Sequence, residues 1–260
     1  GGAAVSAVAA PGGPRPAPAR PGLGRLARVE LRKMVDTRAG FWLQATTALL
    51  TVVAVIAVLA AGRAEDHTFA QLLGVASAPA MVLLPVVGIL LVTSEWTQRT
   101  TLITFTLVPQ RSRVLAAKLL AGALLALAAL VASVALAALG TAIAAPGLDG
   151  TWADAAGLVG QTAVALVASM ATGVAFGAAL LASAPAIVLY FALPMAYGIV
   201  GSFSFFDGIA AWTDTSRTMG EMTVELLSAT AWARALVSLL AWLALPLAIG
   251  WWRVVRSEPG

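Results

Sequence analysis

The sequence predicts an all-α integral membrane protein: six transmembrane helices preceded by an amphipathic interfacial helix, with both termini in the cytoplasm. The first observation behind this fold class is composition, because 60% of the 260 residues are hydrophobic, only 11% are charged and the mean hydropathy is +0.91. A soluble domain carries about 25% charged residues. The second observation is the arrangement of apolar residues in long runs, and the third is a one-sided distribution of basic residues.

Six apolar runs are long enough to cross a bilayer, which takes about 20 helical residues. They cover residues 40–62, 72–93, 115–145, 156–181, 186–205 and 232–252. We expect an α-helix in each run, since a backbone in lipid must satisfy its own hydrogen bonds and a membrane barrel requires an alternating pattern instead. Together the six helices form one transmembrane domain over 40–256.

Basic residues lie mostly on one side of this six-helix topology. When the loops are assigned alternately to two sides, thirteen of the sixteen Lys and Arg fall on the side of both termini; only Arg63, Arg217 and Arg234 fall on the other. Lys and Arg are enriched in the cytoplasmic loops of membrane proteins. Both termini are therefore predicted to be cytoplasmic, and the sequence pI near 10.3 reflects this topology and not a nucleic-acid partner.

Two segments precede the first span. Residues 1–22 are rich in Pro, Gly and Ala and predict a flexible tail. Residues 23–39 interleave apolar and basic side chains, a pattern typical of an amphipathic helix that lies in the membrane interface near anionic head groups. This helix serves either as a positive-inside anchor alone or also as a docking site for a partner protein.

Missing residue types narrow the range of functions. The chain has no Cys and a single His, His67, which we expect at the surface of an outer loop, so no metal site is predicted. It also lacks G-x-x-x-x-G-K-[ST], H-E-x-x-H and G-x-S-x-G, the motifs of nucleotide binding, zinc proteolysis and serine hydrolysis. We therefore expect no enzyme activity in the chain by itself, and no cofactor.

The six spans are expected to carry no Asp, Glu, Lys, Arg or His at membrane depth. Carriers driven by protons or ions keep such groups there, because they must bind and release the coupling ion. Any uphill transport by this chain is therefore expected to take its energy from outside the bilayer.

A polar, basic segment over 94–113 separates the second and third spans. Glu95 and Arg99 are four residues apart, a spacing that suits pairing on one helical turn, and Pro109 ends that element. On spacing alone, a solvated loop with positive-inside charge is the simplest interpretation. However, a simple turn needs only a few residues, whereas this segment is about twenty long and keeps apolar side chains such as Leu107. It is therefore predicted to contact a cytoplasmic partner.

Three features follow one another along residues 25–256. They are the entry segment Val29-Glu30-Leu31-Arg32-Lys33 to Gly40-Phe41-Trp42, the segment Glu95…Arg99-Thr100-Thr101-Leu102…Leu107-Val108-Pro109…Arg111…Val114-Leu115-Ala116-Ala117-Lys118, and four further spans. In this arrangement the chain resembles the permease subunits of type-2 ATP-binding-cassette (ABC) exporters. One departure is Arg99-Thr100, where many members of that family have Gly-Thr.

In that family, the segment after the second span forms a coupling helix that rests in a groove of a separate cytoplasmic ATPase. The resemblance implies that this chain couples ATP hydrolysis by such an ATPase, which binds ATP and Mg²⁺, to efflux of a hydrophobic or amphipathic substrate. It also implies a dimer with a second permease protomer, homo- or heteromeric, in the plasma (inner) membrane of a bacterium. Carried over residue by residue, the coupling set is Glu95, Arg99, Thr101, Leu107, Pro109, Arg111, Arg113 and Lys118.

The same resemblance places the second and fifth spans along the substrate pathway. The candidate pathway residues are Met81, Tyr190, Phe191, Tyr197 and Phe203. Aromatic side chains in a span also serve as packing or interface anchors. The resemblance further suggests short helices in the extracellular segment 204–230, for which an exposed linker is the alternative.

Small residues recur every four positions in the fourth span, at Ala165, Ser169, Gly173 and Gly177. This spacing suits close approach of a second helix. The second helix belongs either to the same chain or to another protomer.

Two other classes remain open on the residues alone. A non-transporting scaffold or sensor subunit would use the segment 94–113 to recruit a cytoplasmic partner, and would bind an ATPase without controlling its turnover. A passive channel commonly has pore-lining rings of charge, which the spans are expected to lack. An intramembrane enzyme ranks last, because the chain offers few catalytic groups.

Overall fold

The computed structural model describes residues 22–63, 67–97, 111–147, 149–223 and 225–256. Within these residues the regular structure is helical throughout. The α-helices are α1 (Leu23–Asp36), α2 (Arg38–Ala61), α3 (Phe69–Thr97), α4 (Arg111–Ala144), α5 (Ala155–Leu180), α6 (Ser183–Gly201), α7 (Asp207–Thr213), α8 (Thr215–Gly220), α9 (Ala229–Leu239) and α10 (Leu245–Arg256). A 3₁₀ turn at Glu221–Thr223 follows α8, and a π-helical stretch at Leu240–Ala244 joins α9 to α10.

Six helical units are long and apolar enough to cross a membrane. Five of them are the single helices α2 to α6, and the sixth is the continuous unit of α9, the π-helical stretch and α10. The predicted all-helical class with six candidate spans is thereby confirmed. Helix α3 extends beyond the predicted 72–93 at both ends, because hydropathy marks only the part of a helix that suits the hydrocarbon core.

Helices α3 and α5 form the buried centre of the bundle. A Cβ atom added at Gly173 of α5 would lie 2.3 Å from the carbonyl oxygen of Pro85 in α3, and one at Gly177 would lie 3.0 Å from that of Ile89. The two backbones approach this closely because small residues leave no side chain between them. The small-residue stripe of the fourth span therefore packs within the chain.

A proline in α3 frees a backbone carbonyl that a neighbouring helix uses. Pro85 lacks the N–H that would bind the Met81 carbonyl, and the Ser169 hydroxyl of α5 donates a 3.0 Å hydrogen bond to that oxygen. One turn earlier, the Ala76 carbonyl accepts hydrogen bonds from hydroxyls on α2 and α4. Backbone carbonyls in the proline-containing part of α3 are thus satisfied inside the bundle, as a membrane requires.

Contacts define two ends of the bundle. At one, called the α1 end, helix α1 packs on the last turns of α3 and the first turns of α4, and Arg253 of α10 donates to the Ala179 carbonyl in the last turn of α5. At the opposite, far end, Phe69 at the start of α3 stacks on Trp152. The candidate sites described below lie at these two ends and between them.

Helix α1 meets α2 at a sharp corner. Thr37 has extended backbone angles, and its hydroxyl accepts a 3.1 Å hydrogen bond from the Gly40 N–H at the start of α2. A Cβ at Gly40 would collide with the Met34 carbonyl oxygen, so the corner requires glycine. The corner turns one face of α1, with Ala27, Glu30 and Met34, into the bundle. The exposed face carries the basic residues Arg25, Arg28 and Arg32.

The segment between α6 and α9 folds back over the bundle at the far end. The Gln161 side chain of α5 holds it, because Nε2 donates to the carbonyls of Met222 (3.2 Å) and Glu225 (2.8 Å) while Oε1 accepts from the Leu227 N–H (2.9 Å). This segment contains α7 and α8 and buries Asp214. The sequence left two alternatives for this segment, short helices or an exposed linker, and the structure shows short helices.

The expectation that His67 lies on the surface is wrong. Its side chain is buried, and Nε2 lies 3.1 Å from the Val58 carbonyl oxygen in the last turn of α2. A Cβ at Gly62 would lie 2.6 Å from the same nitrogen. The glycine that ends α2 thus makes room for the imidazole to cap the helix. The position of His67 in a loop sequence does not predict this contact.

Candidate functional site

Four charged side chains meet at the α1 end and form what we call the charge cluster: Glu30 and Lys33 of α1, Glu95 of α3 and Lys118 of α4. Lys118 Nζ lies 2.6 Å from Glu30 Oε2 and 3.1 Å from Glu95 Oε1. Lys33 Nζ lies 2.8 Å from Glu30 Oε1 and 2.7 Å from Glu95 Oε1. Each ammonium group therefore bridges both carboxylates, and three separate helices are tied at one point.

Burial makes the balance of charge in the cluster important. Glu30, Glu95 and Lys118 are buried, while the Lys33 side chain is 40% exposed. Lys118 Nζ also donates a 2.9 Å hydrogen bond to the Leu91 carbonyl. Within the described residues of the cluster, two positive and two negative groups balance one another, and hydrogen bonds satisfy the buried ammonium. Buried charges are tolerated in proteins when they are paired in this way.

Lys33 is the most exposed member of the charge cluster, and its pKa reflects its pairing with the two carboxylates. Burial by itself lowers the pKa of the Lys33 ammonium, whereas hydrogen bonds to Glu30 and Glu95 and their negative charge raise it. The second effect is the larger, so the pKa of Lys33 lies above its ordinary value of 10.5. Lys33 therefore carries its positive charge throughout the physiological pH range.

The structure brings two of the predicted coupling residues together, and four others lie outside the residues that it describes. Glu95 and Lys118 are both members of the charge cluster. Arg111 and Arg113 lie in the first turn of α4. Four of the predicted residues lie outside the described residues, namely Arg99, Thr101, Leu107 and Pro109. The end of α3 and the start of α4, which frame residues 98–110, are thus both anchored to α1 near the cluster.

Sequence reasoning missed the part of α1 in this cluster. It placed the basic residues of 23–39 near anionic head groups and assigned Glu30 no partner. However, Glu30 lies three residues after Ala27 and four before Met34, so all three share the buried face. A carboxylate in line with apolar residues at helical spacing was the available signal that Glu30 binds a partner.

A cavity of about 400 Å³, called the central cavity, opens between the spans nearer the far end. Its walls come from α3, α5, α6, α8 and the unit of α9 and the π-helical stretch. The lining residues are Met81, Val82, Ser169, Thr172, Phe176, Tyr190, Phe191, Pro194, Met195, Thr215, Ser216, Met219, Leu239 and Trp242. The lining has no charged side chain, and its polar groups are hydroxyls and an indole N–H. This size and chemistry are typical of small-molecule sites.

Three predicted pathway residues, Met81, Tyr190 and Phe191, line the central cavity together. Tyr197 lies beside it, since its hydroxyl is 2.5 Å from the Thr213 hydroxyl and its ring packs edge-on against Trp242. Phe203 is 62% exposed and is not part of the lining. The predicted pathway set is therefore split: three residues line the cavity, Tyr197 lies beside it, and Phe203 lies apart.

Trp242 lines the cavity although it was not among the predicted pathway residues. It lies in the π-helical stretch of the sixth span, and its Nε1–H donates a 2.7 Å hydrogen bond to the Thr213 carbonyl. The Ser238 hydroxyl contacts the same oxygen at 3.4 Å. A π-helical turn shifts the side chains that follow it, so helical periodicity along the sixth span does not predict which residues face the cavity.

The expectation of spans without ionisable side chains is wrong near the span ends. Glu95, Lys118 and Arg234 all lie within the observed candidate spans, and Lys118 and Arg234 already fall inside the predicted runs 115–145 and 232–252. The first two neutralise one another in the charge cluster, which explains how the bundle accommodates them. Arg234 lies near the far end, where α9 begins.

Comparison with known proteins adds no assignment, since no protein-family model and no curated protein sequence matches the chain. Among the described residues, no three His, Cys, Asp or Glu side chains are grouped to hold a metal ion. The geometry itself offers two elements: a neutral ionic junction of three helices at the α1 end, and an uncharged cavity between the spans. The arrangement suits mechanical linkage and the binding of an uncharged molecular surface.

Proposed function

We propose that the chain is the transmembrane permease subunit of an ATP-driven exporter of the type-2 ABC class, which works with a separate cytoplasmic ATPase. The observation that carries the proposal is the junction of Glu30, Glu95 and Lys118 at the two ends of the segment 98–110. A partner that pushes on that segment would move α1, α3 and α4 as one body, because the salt bridges link all three helices.

Helix α3 gives this movement a route to the central cavity. Glu95 and Met81 lie fourteen residues apart on the same helix, which corresponds to about 21 Å at 1.5 Å per residue. Met81 and Val82 form part of the cavity wall, and α3 packs on α5 without intervening side chains at Gly173. A displacement at the α1 end is therefore transmitted by a stiff, closely packed pair of helices.

The orientation of the chain in this proposal follows from charge. The α1 end carries nearly all of the basic residues, so we assign it to the cytoplasm, with both termini, and α1 to the membrane interface. The membrane is the plasma (inner) membrane of a bacterium. The segment 98–110 then faces the compartment that holds ATP and Mg²⁺, which bind to the partner ATPase and not to this chain.

The cavity indicates the type of cargo. Its lining of aliphatic, aromatic and hydroxyl groups suits a hydrophobic or amphipathic molecule, because no charged side chain is present to offset the desolvation of a charged one. Tyr190 and Phe191 contribute its aromatic wall on α6. Helix α6 is also the least buried candidate span, which leaves an apolar face for lipid or for the second permease protomer of a homo- or heterodimer.

The test is a measurement of ATP hydrolysis with and without the chain. The full chain is expressed with ATP-binding proteins encoded near its gene, purified in mild detergent and reconstituted in nanodiscs. A stoichiometric ATPase whose turnover depends on the chain supports the exporter. A matched variant, Glu95→Gln with Lys118→Met, keeps the cluster neutral and should uncouple turnover from the chain while the complex still forms.

The alternative is a non-transporting scaffold or sensor that uses the same surface. The charge cluster also makes α1 and the ends of α3 and α4 a rigid platform for a cytoplasmic protein. A scaffold would bind its partner with the same affinity but would leave the rate of ATP hydrolysis unchanged. That result would replace the exporter by the scaffold.

A further inference from the structure

A second cavity, of about 420 Å³, lies beside the central cavity at the far end, and we call it the far-end pocket. Its lining residues are Ala211, Ser216, Arg217, Thr218, Gly220, Ala231 and Arg234. Ser216 also lines the central cavity. The short helix α8 therefore separates the two: Thr215 and Met219 belong to the central cavity, and Arg217 and Thr218 belong to the far-end pocket.

The two cavities differ in chemistry. The central cavity is lined by apolar groups, hydroxyls and one indole N–H. Among the described side chains, both charged residues that line the far-end pocket are arginines, and none of the lining residues is acidic. The junction at Ser216 thus joins an apolar compartment to one that presents guanidinium groups.

The two arginines are not equivalent. Arg217 already has acidic partners, since Nη1 lies 2.8 Å from Asp207 Oδ1 and Nε lies 3.5 Å from Asp214 Oδ2. Arg234 lies with Cζ 5.8 Å from the centre of the Trp212 ring, and no salt bridge joins it to a carboxylate in the part of the chain that the structure describes. Arg217 is therefore already paired with two carboxylates, whereas the guanidinium group of Arg234 makes no salt bridge within the described residues.

The location of Arg234 also matters. It lies in α9, inside the sixth candidate span. Its side chain is exposed, lies near the far-end start of that span and lines the far-end pocket. Arginine near the end of a span extends to the interface or to a water-filled cavity, where it can meet an anion. Its indole neighbour attracts the guanidinium through a cation–π contact without neutralising it, so the hydrogen-bonding edge stays available to an anion.

We infer that the central cavity and the far-end pocket are two compartments of one site for a single-chain amphiphile with an acidic head group. The apolar chain occupies the central cavity, and a carboxylate or phosphate head binds Arg234 past Ser216. Guanidinium groups pair with planar carboxylates and with phosphates through two parallel hydrogen bonds. This inference rests on the proposed function, because it names the class of cargo that the exporter carries.

Other classes of ligand fit the pair of cavities less well. A purely apolar molecule would fill the central cavity and leave the guanidinium groups unused. A cationic amphiphile would place its positive head beside Arg217 and Arg234, and none of the described lining residues is acidic to compensate for the repulsion. An anionic amphiphile satisfies both compartments at once.

The experiment compares three probes of equal chain length: brominated dodecanoate, brominated dodecanol and brominated dodecylamine. The full chain is reconstituted in nanodiscs of zwitterionic lipid without any ATPase, and quenching of tryptophan fluorescence is titrated with each probe. Trp242 lines the central cavity, so the quenching that disappears in Trp242→Phe reports the bound chain and not probe dissolved in lipid. The dodecanoate is expected to bind most tightly and the amine least tightly.

Variants assign the preference to the far-end pocket. Arg234→Gln should weaken dodecanoate binding by about threefold to tenfold, the range for loss of one charged partner at a partly open site, and should leave dodecanol binding unchanged. The matched control is Arg63→Gln, which removes another far-end positive charge outside both cavities and should change neither. Ser216→Leu blocks the junction and should remove the preference for dodecanoate if Arg234→Gln does not fold.

Two results would overturn the inference: equal affinity for dodecanoate and dodecanol in the unmodified chain, or unchanged dodecanoate affinity in a folded Arg234→Gln protein. Neither result bears on the ATPase measurement, because the binding experiment contains no ATPase. Conversely, an ATPase whose turnover ignores the chain would refute the exporter and leave the binding result standing. The two proposals can therefore fail separately.

Discussion

Lys118 of α4 donates a 2.6 Å hydrogen bond to Glu30 of α1, although 88 residues separate them along the chain. Both side chains are buried. The contact closes a loop that contains α2, α3 and the segment between α3 and α4. It therefore fixes where an amphipathic helix at the start of the chain lies relative to the bundle.

Removing one partner of this pair should destabilise the protein strongly. Methionine has nearly the same length as lysine, but Lys118→Met removes the buried ammonium group that pairs with Glu30 and Glu95. We expect a loss of about 3–5 kcal/mol in the free energy of unfolding, the range for breaking a buried pair. Denaturant unfolding in detergent, followed by fluorescence, measures it.

The double variant Lys118→Met with Glu30→Gln is the control. It removes one charge of each sign and leaves Lys33 paired with Glu95, so most of the lost stability should return. A single variant that is as stable as the unmodified chain would show that the pair is not closed in solution.

From neutral pH upward, the stabilising effect of Lys33 should depend on pH only under strongly alkaline conditions. Its pKa is raised in the folded protein, so its contribution is complete below the unfolded value of about 10.5 and is lost as the pH rises through the folded value. The difference in stability between the unmodified chain and Lys33→Met should therefore stay constant from about pH 7 to about pH 9. It should shrink above about pH 10.5. A difference that falls already near neutral pH would contradict the raised pKa.

The close packing of α3 and α5 should tolerate no side chain at Gly173. In Gly173→Ala the new methyl group would meet the Pro85 carbonyl at 2.3 Å, which forces the two helices apart. We expect a loss of about 1–3 kcal/mol, as for other overpacked interiors. Thermal unfolding in nanodiscs is a suitable measurement.

Gly160 of the same helix is the matched control, because a Cβ there has no atom within 4 Å. Gly160→Ala should be neutral or stabilise the protein by up to about 1 kcal/mol through helix propensity. Equal effects of the two substitutions would argue against the observed α3–α5 contact.

Charge reversal at the start of α4 should uncouple the ATPase if the proposed function is correct. Arg111→Glu with Arg113→Glu places acidic groups at the end of the segment 98–110, where a partner is expected to dock. We expect chain-dependent ATP hydrolysis to fall by at least about tenfold, and unfolding of the isolated chain should be measured beside it to confirm that the variant is folded. Arg63→Glu, at the far end, should leave hydrolysis unchanged. Full hydrolysis in the double variant would remove both arginines from the mechanism.

Much of the architecture was accessible from sequence because it depends on properties that add along the chain. Hydropathy summed over about 20 residues predicts each span, and all six predicted runs correspond to observed helices. Charge in the loops predicts an orientation by the same kind of sum. The small-residue stripe at Gly173 and Gly177 likewise predicted a close contact with a second helix, although its spacing did not identify that helix.

The sites were less accessible because they depend on pairings between distant segments. The acidic residue Glu95 and the basic residue Lys118 were recognised through a family resemblance, but Glu30 and Lys33 were not connected to them. Trp242 and Ser216 reach the central cavity through a π-helical turn and a folded-back segment. Periodicity along one helix does not contain this information.

The sequence by itself determined that the chain is helical, that it has six apolar spans and that its basic residues concentrate at one end, because these follow from local composition. Only the tertiary structure decided that α3 and α5 form the centre, that Lys118 is neutralised by Glu30, and that Arg234 shares a pocket with Arg217. The physical reason is that the stability of a buried charge and the lining of a cavity depend on residues that are close in space, and helix packing decides which residues those are.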